Sequence, residues 1–363
     1  MINTILYVIL GITYLIVYPM KIKNKKITFI SYKSDKVERD FKLISNELKK
    51  RDQYELVYIL LKYKKTLLGD LKYLINCIIQ VYHINTSQVV ILDYNNYVVS
   101  NFKKSEVKVL QVWHASGAIK KFGNDVNRKY KIKNYDYILA TSDIWKKPYS
   151  SAFNVREDQV LPLGIPKNDN LFSNKIIKKY QKLMYEKFPL IKGKKVILYA
   201  PTFRGDHLKD TTYEKIDLKY IQDQLGEEYV LMYKLHPLLV DVSLCDDPRV
   251  INANHESIAK LFSITDYLIT DYSSILFDFT IFNKPIISYV PDIDSYRENV
   301  GLYIDYERHI PAPICKTEYE IVDAIKKKNF KLEEIEKFKE KYFKYQDGKA
   351  TQRVVDFIEN ITA

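Results

Sequence analysis

The sequence contains two successive series of short apolar runs, each run bounded by polar residues. The first series consists of ITFISYK (27–33), ELVYILL (55–61), QVVILDY (88–94), VKVLQVWH (107–114), DYILATS (136–142) and DQVLPLG (158–164). The second consists of KKVILYAPT (194–202), EYVLMYKLH (228–236), RVINA (249–253), DYLITDYSS (266–274) and PIISYVP (285–291). Continuous apolar runs of this length are typical of parallel strands covered on both faces. The pattern predicts two doubly wound α/β domains.

Helix-length segments, such as 38–51 and 66–79, separate the runs and give a βαβ order. A Lys-rich stretch from 170 to 187 lies between the two series, so we expect the domain boundary near 165–190. The domains are then residues 27–170 and 190–330, followed by charged C-terminal helices at 331–363. In tandem α/β domains, ligands bind in a cleft outside the carboxyl ends of the strands. Residues that directly follow strands are therefore the first candidates for a site.

Length and charge narrow the function classes. The 363 residues suit two domains of ordinary size, and the net charge of +12 favours an anionic partner: a nucleic acid, a phosphorylated small molecule or an acidic membrane. Three separated cysteines form no CxxC pair, which excludes a zinc ribbon, a redox dithiol and a disulfide framework and fits a reducing cytosol. Neither GxxxxGK[ST] nor GxGxxG occurs, so a Walker-type nucleotide site is not expected.

The amino terminus is almost wholly apolar over residues 5–20 and is followed by Lys21, Lys23, Lys25 and Lys26. As a helix, sixteen residues rise roughly 24 Å, short of the ~30 Å hydrocarbon core of a bilayer. The lysines follow the apolar run rather than precede it, which argues against a cleaved signal peptide. Three interpretations stay open: an interfacial anchor with lysines on anionic headgroups, a short signal anchor, and a buried first helix. We expect residues 1–26 to associate with the membrane.

The first strand-end motif is WHASGAIKKFG, residues 113–123. His114 ends a strand run, and imidazole is well suited to removing a hydroxyl proton near neutral pH. Small residues let a ligand approach the backbone, and lysines supply positive charge. A histidine that merely caps a strand explains this motif equally well. The candidate acceptor or phosphate contacts are Ser116, Gly117, Lys120 and Lys121.

Two further strand-end motifs lie in the second series. In YAPTFRGD (199–206), Arg204 offers a planar, permanently charged fork for a phosphate, and Thr202 offers a hydroxyl. In KLHP (234–237), His236 ends a strand run and Pro237 stops it. A surface arginine beside a turn glycine is the structural alternative for the first of them.

The last motif, ITDYSSILFDF (269–279), places Asp271 at a strand end. Ser273 and Ser274 are expected in the first turn of the next helix, where backbone N–H groups and the helix dipole favour a phosphate. An N-capping aspartate with solvated serines is the alternative. Asp292 and Asp294 form a DxD-like pair, which without clustered His or Glu is weak evidence for a metal, and no metal site is predicted. Together the motifs suit charge stabilisation of a pyrophosphate with one histidine free to act as a base.

In wording and order, WHASGAIKKFG, GIPKND (164–169), YAPTFRGD, KLHP, TDYSSILFDF and PDIDSYRENVGLYIDYE (291–307) resemble the CDP-glycerol glycerophosphotransferase family of wall teichoic acid synthesis. The resemblance implies a GT-B architecture, an α/β fold of two Rossmann-like domains with an interdomain cleft and the cytidine nucleotide in the C-terminal domain. It assigns His114, His236 and Arg204 to catalysis. Its donor-binding set is Thr202, Arg204, His236, Asp271, Ser273 and Ser274, with Asp271 structural or ribose-facing.

Two departures from the family pattern matter. WHA replaces the common WHG, as in the primase branch, and Lys167 replaces the arginine of GIPR, which removes a bidentate phosphate contact. The length also fits a primase better than a long polymerase with an extra domain. The implied reaction moves glycerol phosphate from CDP-glycerol to the ManNAc hydroxyl of undecaprenyl-diphosphate-linked ManNAc-GlcNAc, releasing CMP, at the cytoplasmic face of the bacterial membrane. No cofactor beyond the donor substrate is expected, and metal dependence stays open.

Several alternatives remain. Within the family these are a CDP-glycerol or CDP-ribitol dependent polymerase. Outside it they are a GT-B sugar transferase or nucleotide-sugar epimerase, and a basic membrane-associated binding protein. Expected partners are CDP-glycerol, the lipid-linked disaccharide and an anionic membrane surface, with other teichoic acid synthesis enzymes as further candidates and no nucleic acid.

Overall fold

The computed structural model describes residues 2–205, 212–328 and 330–363, which form two compact units. The N-terminal unit contains the chain up to Gly117, Lys121–Asp169 and Phe343–Ala363. The C-terminal unit contains Ala118–Lys120 and Asn170–Tyr342. Three residues of the loop after His114 thus pack with the C-terminal unit, and the end of the chain packs with the N-terminal one.

The N-terminal unit is built on a six-stranded parallel sheet in the order β2-β1-β3-β4-β5-β6. Its elements are α1 (Ile2–Val17), β1 (Lys23–Ser31), α2 (Arg39–Lys49), β2 (Glu55–Leu60), α3 (Leu67–Thr86), β3 (Ser87–Leu92), α4 (Tyr97–Phe102), β4 (Lys108–Gln111), β5 (Tyr137–Leu139), α5 (Lys146–Phe153) and β6 (Val160–Leu161). The chain reverses its direction across the sheet between β1 and β3, which makes the carboxyl ends of these strands the switch point of the sheet.

The C-terminal unit repeats the plan with the strand order β12-β11-β10-β7-β8-β9, again all parallel. Its elements are α6 (Asn174–Lys187), β7 (Lys195–Tyr199), α7 (Leu218–Leu225), β8 (Tyr229–Tyr233), β9 (Val250–Asn252), α8 (Ile258–Ile264), β10 (Tyr267–Thr270), α9 (Ile275–Thr280), β11 (Ile286–Tyr289), α10 (Ile293–Val300), α11 (Tyr306–His309), β12 (Ile314–Cys315), α12 (Glu318–Lys327) and α13 (Leu332–Tyr342). This is the Rossmann order, with its switch point between β7 and β10.

The predicted α/β class and two Rossmann-like domains are confirmed. Every apolar run of both series contains a strand, because residues buried on both faces of a sheet must be apolar throughout. The two-residue strand β12 was not predicted.

The last helix, α14 (Ala350–Thr362), completes the core of the N-terminal unit. Val354, Val355 and Ile358 are fully buried against residues of β1, β3 and β4. Gly164 has a φ of +90°, and a Cβ there would lie 2.9 Å from Ala350 Cβ, so the glycine of GIPKND is required by close packing against α14.

Helix α1 packs against α3 and α4 and has two distinct faces. Leu10 and Val17 are buried, whereas Ile12 and Leu15 on the other face are more than half exposed. The basic segment after it differs from the expectation of lysines on headgroups at one position. Lys26 is buried in β1, where its Nζ donates to Thr86 Oγ1 at 2.7 Å, so it cannot reach a membrane surface. Among the described residues, no helix is both long and apolar enough to cross a bilayer.

Candidate functional site

The C-terminal unit gathers its strand-end motifs at the switch point between β7 and β10. Thr202 and Arg204 follow β7, and Asp271 follows β10 directly. Asp271 is 2% exposed, and its Oδ1 accepts the backbone N–H of Thr202 at 2.8 Å. This bond ties the two strand ends together. Asp206, the last residue of the YAPTFRGD motif, lies outside the described residues.

Arg204 is bound by two carboxylates. Its Nη1 donates to Asp271 Oδ2 at 2.7 Å and to the Thr202 carbonyl at 3.0 Å. Its Nε and Nη2 donate to Asp292 Oδ2 and Oδ1 at 2.7 and 3.2 Å. Burial alone would lower the pKa of Arg204, but Asp271 and Asp292 raise it above the usual value, so the guanidinium stays charged.

Two stacked tyrosines complete the arginine's surroundings. The rings of Tyr272 and Tyr296 lie 3.7 Å apart, and the Arg204 guanidinium carbon is 5.2 and 4.9 Å from their centres. The Tyr272 hydroxyl donates to Asp292 Oδ1 at 3.0 Å. Cations over aromatic faces are held in a fixed orientation. The arginine is therefore rigidly placed before any ligand arrives.

Asp292, the first residue of the DxD-like pair, binds an arginine and a tyrosine of the C-terminal cluster. Its two oxygens accept from Arg204 and Tyr272, whereas Asp294 is exposed and 3.9 Å from Lys316 Nζ. The two carboxylates thus face different cations. Sequence spacing gave no signal for this pairing, since Arg204 and Asp292 are far apart in the chain.

His236 follows β8 and caps a short 3₁₀ turn beginning at Pro237. Its Nδ1 accepts the backbone N–H of Leu238 at 3.3 Å, and its ring lies 4.8 Å from that of Phe203. In the neutral imidazole this bond puts the proton on Nε2, which makes that nitrogen a donor. His236 can therefore donate to a phosphate oxygen.

Ser273 and Ser274 lie just before helix α9 rather than in its first turn. The helix begins at Ile275 and has six residues, with Ser274 as its N-cap. Both serines are half-buried, and neither hydroxyl has a hydrogen-bond partner among the described residues. The prediction that both serines lie in the first turn of the helix was wrong, because the helix begins one residue after Ser274. Both hydroxyls nevertheless remain available close to Asp271.

Lys120 belongs to the C-terminal unit although it follows the His114 motif in sequence. Its Nζ lies 5.3 Å from the centre of the Phe203 ring. Burial lowers the pKa of Lys120 to about 8, Asp271 opposes this shift, and Arg204 adds to it. The lysine is thus an electrostatic neighbour of the buried ion pair. Lys121, by contrast, is exposed and returns to the N-terminal unit.

In the N-terminal unit, His114 follows β4 and stacks on Tyr94, which follows β3. The two rings are 4.4 Å apart and tilted by only 6°, and the Trp113 ring lies 4.0 Å away on a steeper tilt. Trp113 has a φ of 56°, a conformation that costs a bulky residue free energy and recurs near functional sites. The imidazole is held in a fixed plane.

The His114 ring is neutral at physiological pH. Burial chiefly lowers its pKa, to about 3, and Arg39, Lys167 and Lys33 add to the shift, against a hydrogen bond to the backbone of Asp93. Its Nδ1 is buried and has no partner among the described residues. Asp93 Oδ1 nearby is also unpartnered there, and burial raises the pKa of this carboxyl to about 6. An unpartnered ring nitrogen is able to accept a proton.

Two residues of the first motif support the loop rather than face a ligand. Ser116 is 1% exposed, its carbonyl accepts from Thr141 Oγ1 at 2.6 Å, and its Oγ accepts from Asn168 at 2.7 Å. Gly117 is buried as well. Lys167 is fixed through its backbone N–H, which donates to the buried Asp40 at 2.8 Å.

Comparison with known proteins gives a consistent result. The family model for CDP-glycerol:poly(glycerophosphate) glycerophosphotransferase matches residues 12–360. The teichoic acid ribitol-phosphate primase of Bacillus spizizenii strain W23 is 32% identical, over 94% of this chain and 92% of the relative. The teichoic acid glycerol-phosphate primase of Bacillus subtilis strain 168 is 33% identical, over 79% and 77%.

Among solved structures, the wall teichoic acid polymerase TagF has a TM-score of 0.76 at 24% identity, over 97% of this chain and 93% of that one. This likeness concerns the fold, which is that of a GT-B-like enzyme. The match of nearly the whole sequence to one family model goes further, and so does the identity to curated teichoic acid enzymes. This chain belongs to the CDP-glycerol:poly(glycerophosphate) glycerophosphotransferase family and is a transferase of teichoic acid synthesis.

Proposed function

We propose that this chain is a teichoic acid glycerol-phosphate primase. It transfers one glycerol phosphate from CDP-glycerol to the ManNAc hydroxyl of undecaprenyl-diphosphate-linked ManNAc-GlcNAc and releases CMP. The observation that carries the proposal is the polar cluster at the switch point of the C-terminal unit, where a Rossmann-like sheet binds nucleotides. The similarity to a glycerol-phosphate primase over most of both chains supports the choice of reaction.

The donor-binding role falls to the C-terminal unit. The Ser273 and Ser274 hydroxyls, which have no hydrogen-bond partner among the described residues, are the proposed donors to phosphate oxygens, and Nε2 is the donor nitrogen of the His236 ring. Thr202 and Asp271 hold the strand ends, and Arg204 fixes the loop containing Asp292. Arg204 uses four of its five N–H groups within the protein, so its contribution to a phosphate is its charge and at most one hydrogen bond.

His114 is the proposed base. It accepts the proton of the acceptor hydroxyl as that oxygen attacks the β-phosphorus of the donor, and CMP leaves with the electrons of the broken phosphorus–oxygen bond. A neutral imidazole with an unpartnered nitrogen supports this role. The low pKa of His114 rises once the negatively charged substrates bind close to the ring.

The decisive experiment is the mass of the product formed from CDP-glycerol and a soluble analogue of the disaccharide-lipid acceptor. One added glycerol phosphate with stoichiometric CMP supports the primase. A ladder of additions refutes it in favour of a polymerase. No product from any CDP-alcohol, with a correctly folded protein, refutes the assignment of the donor.

A CDP-ribitol dependent transferase is the second candidate. It is favoured by one observation, the ribitol-phosphate primase that this chain matches over 92% of its length. Competition between equal concentrations of CDP-glycerol and CDP-ribitol separates the two. A ratio of kcat/KM above about ten for either donor, or about 1.4 kcal/mol in transition-state binding, decides between them.

We also propose that the N-terminal unit docks peripherally on the cytoplasmic face of an anionic membrane, through a surface formed by helices α1 and α3. Its apolar residues are at least two-fifths exposed: Ile5, Val8, Ile12, Leu15 and Ile16 of α1, and Leu68, Leu71, Ile75 and Ile79 of α3. Exposed lysines Lys62, Lys64 and Lys72 precede or belong to α3. An apolar face bordered by cations matches the chemistry of an interface with anionic lipid.

Vesicle sedimentation tests this surface. The variant Leu71→Glu/Ile75→Glu is expected to lose binding to phosphatidylglycerol vesicles, and the wild type is expected to bind them less at high salt. The control Tyr319→Glu changes an aromatic residue of α12 in the C-terminal unit that is 67% exposed, against 53% and 49% for Leu71 and Ile75, and it should bind normally. Salt-independent binding, or full binding by the double variant, contradicts the proposal.

A further inference from the structure

Lys120 is fixed in the C-terminal unit by its backbone. It forms an isolated antiparallel bridge with Leu302, and the carbonyl of the preceding Ile119 accepts the backbone N–H of Tyr303 at 2.8 Å. The two residues on either side of the segment, Gly117 and Lys121, belong to the N-terminal unit. The motif that supplies His114 thus also supplies a lysine to the proposed donor site.

The side chain of Lys120 points at the cluster described above. Its ammonium lies 5.3 Å from the centre of the Phe203 ring, and the His236 ring lies 4.8 Å from the same ring at a tilt of 53°. Asp271 and Arg204 are its electrostatic neighbours. Within the described part of the chain, the ammonium nevertheless has no hydrogen-bond acceptor and no ion-pair partner.

The ion pairs of Arg204 leave Lys120 as a cation that is not paired with a carboxylate in the described part of the chain. Arg204 alone faces two carboxylates, Asp271 and Asp292, so the three groups together carry a formal charge of minus one. Such a group would repel a diphosphate. Lys120 is a neighbouring cation, and its three N–H donors have no acceptor in the described part of the chain. Its charge is therefore available to an anion in a way that the charge of Arg204 is not.

We propose that Lys120, rather than Arg204, is the principal cation that binds the diphosphate of the donor and stabilises the departing CMP. This rests on the proposed transferase function. The new bond joins the acceptor oxygen to the β-phosphorus, and the bond from that phosphorus to the bridging oxygen breaks with its electron pair passing to CMP. The acceptor proton goes to His114, and Lys120 remains an ammonium throughout, so it acts by charge and hydrogen bonding.

A pH signature follows from the location of Lys120. Burial lowers its pKa to about 8, so the free enzyme loses the ammonium as the pH rises through that value. We expect kcat/KM of the wild type to fall above pH 8. Once the diphosphate is bound its negative charge favours the ammonium, so the fall in kcat should begin at higher pH.

The test compares Lys120→Met, Lys120→Arg and Lys178→Met. Binding of CDP-glycerol and CDP-ribitol is measured by calorimetry, and CMP release is measured between pH 6.5 and 10. Lys120→Met should lower kcat/KM about 100-fold, the scale for removal of one charge-stabilising donor, and should lose the alkaline fall. Lys120→Arg should retain more activity, with its fall moved to higher pH because guanidinium does not deprotonate. Lys178→Met changes an exposed lysine of α6 in the same unit and should stay within about twofold.

The outcomes separate this inference from the function beneath it. If the folded wild type binds neither CDP-alcohol and releases no CMP, both proposals are overturned. If the wild type is active but Lys120→Met stays within threefold, or if the alkaline fall near pH 8 persists in Lys120→Arg, the role of Lys120 is overturned alone. Should Lys120→Met fail to fold, the pH profiles of the wild type and of Lys120→Arg decide.

Discussion

The two units differ in whether the buried polar groups at their strand ends have hydrogen-bond partners. In the C-terminal unit, both oxygens of the buried Asp271 accept hydrogen bonds, and Arg204 is bound to two carboxylates and two tyrosine rings. In the N-terminal unit, His114 Nδ1 and Asp93 Oδ1 are buried without partners in the described part of the chain. Buried polar atoms without partners cost free energy and are uncommon in folded proteins.

Because of this difference, we expect variants of the two sites to differ in how much they lower the stability of the fold and how much they lower activity. Removing a paired group from the C-terminal cluster leaves its partner buried and charged, so it should damage the fold as well as activity. Removing the His114 imidazole breaks few polar contacts, so it should damage activity with little cost in stability. The contrast teaches which unit can be probed by simple truncation and which needs stability controls.

The largest expected effect is that of His114→Ala on turnover. Loss of a general base should lower kcat by about 10²–10⁴-fold in a CMP-release assay with a soluble acceptor analogue. The melting temperature should change little, because the ring stacks on Tyr94, contacts the tilted Trp113 ring and leaves its Nδ1 without a partner in the described structure.

His83→Ala is the matched control for this change. His83 also has a buried Nδ1 without a partner in the described structure, but it lies on α3 and follows no strand. It should keep near-native turnover. Near-native turnover in His114→Ala would remove the base assignment, and an equal loss in both variants would show that the effect comes from packing.

Asp271→Asn should have the next largest effect, on the free energy of unfolding. The amide oxygen can still accept the Thr202 N–H. The amide NH₂, however, takes the place of the oxygen that accepts from Arg204, so a donor faces a donor and the negative charge is lost. Loss of one partner of a buried ion pair costs about 3–5 kcal/mol, which chemical denaturation would detect. Donor binding should weaken with it.

Asp294→Asn is the control for Asp271→Asn, because it makes the same chemical change at an exposed aspartate two residues from Asp292. Its side chain is 79% exposed and 3.9 Å from Lys316 Nζ, so the change should stay within about 0.5 kcal/mol. If Asp271→Asn were as harmless as Asp294→Asn, the distinction between a paired C-terminal site and an unpaired N-terminal site would fail.

Much of this molecule could be predicted from the sequence, for a physical reason. Burial on both faces of a parallel sheet requires continuous apolar runs, and the chain must expose polar residues where such a strand ends. The strands and the strand-end residues His114, Arg204, His236 and Asp271 were therefore visible without coordinates. The family resemblance, now confirmed, followed from the order of the same motifs.

What the sequence could not show depends on contacts between distant segments. The pairing of Arg204 with Asp292 needs the loops after β7 and β11 to meet, and no local periodicity encodes that meeting. The membership of Lys120 in the C-terminal unit is likewise a result of packing with Leu302 and Tyr303. Ser116 looked like a ligand contact because it is small and polar, yet its hydroxyl and carbonyl are used inside the loop.

A smaller effect is expected in the acid range of the wild-type pH profile. An ordinary histidine with a pKa of 6.5 loses about 30-fold of its neutral form between pH 8 and pH 5. His114, whose pKa is about 3, stays neutral over that whole range. We expect kcat/KM for the CDP-alcohol to fall less than about threefold between pH 7 and pH 5. A fall of tenfold or more with a midpoint near 6.5 would contradict this description of the N-terminal site.

The smallest expected effect is that of Arg39→Gln on the acid side of the pH profile. Arg39 follows burial as the second cause of the lowered His114 pKa, and it is exposed with no ion pair in the described structure. Arg39→Gln should move the acid fall of kcat/KM to higher pH, because removing a neighbouring cation makes protonation of the ring easier. The comparable change Lys36→Gln removes an exposed cation of the segment just before α2 that is not among the causes of the shift, and it should leave the profile unchanged. Equal profiles for the two variants would show that burial alone keeps His114 neutral. Burial beside the stacked Tyr94 ring and the tilted Trp113 ring would then be sufficient to keep the base unprotonated.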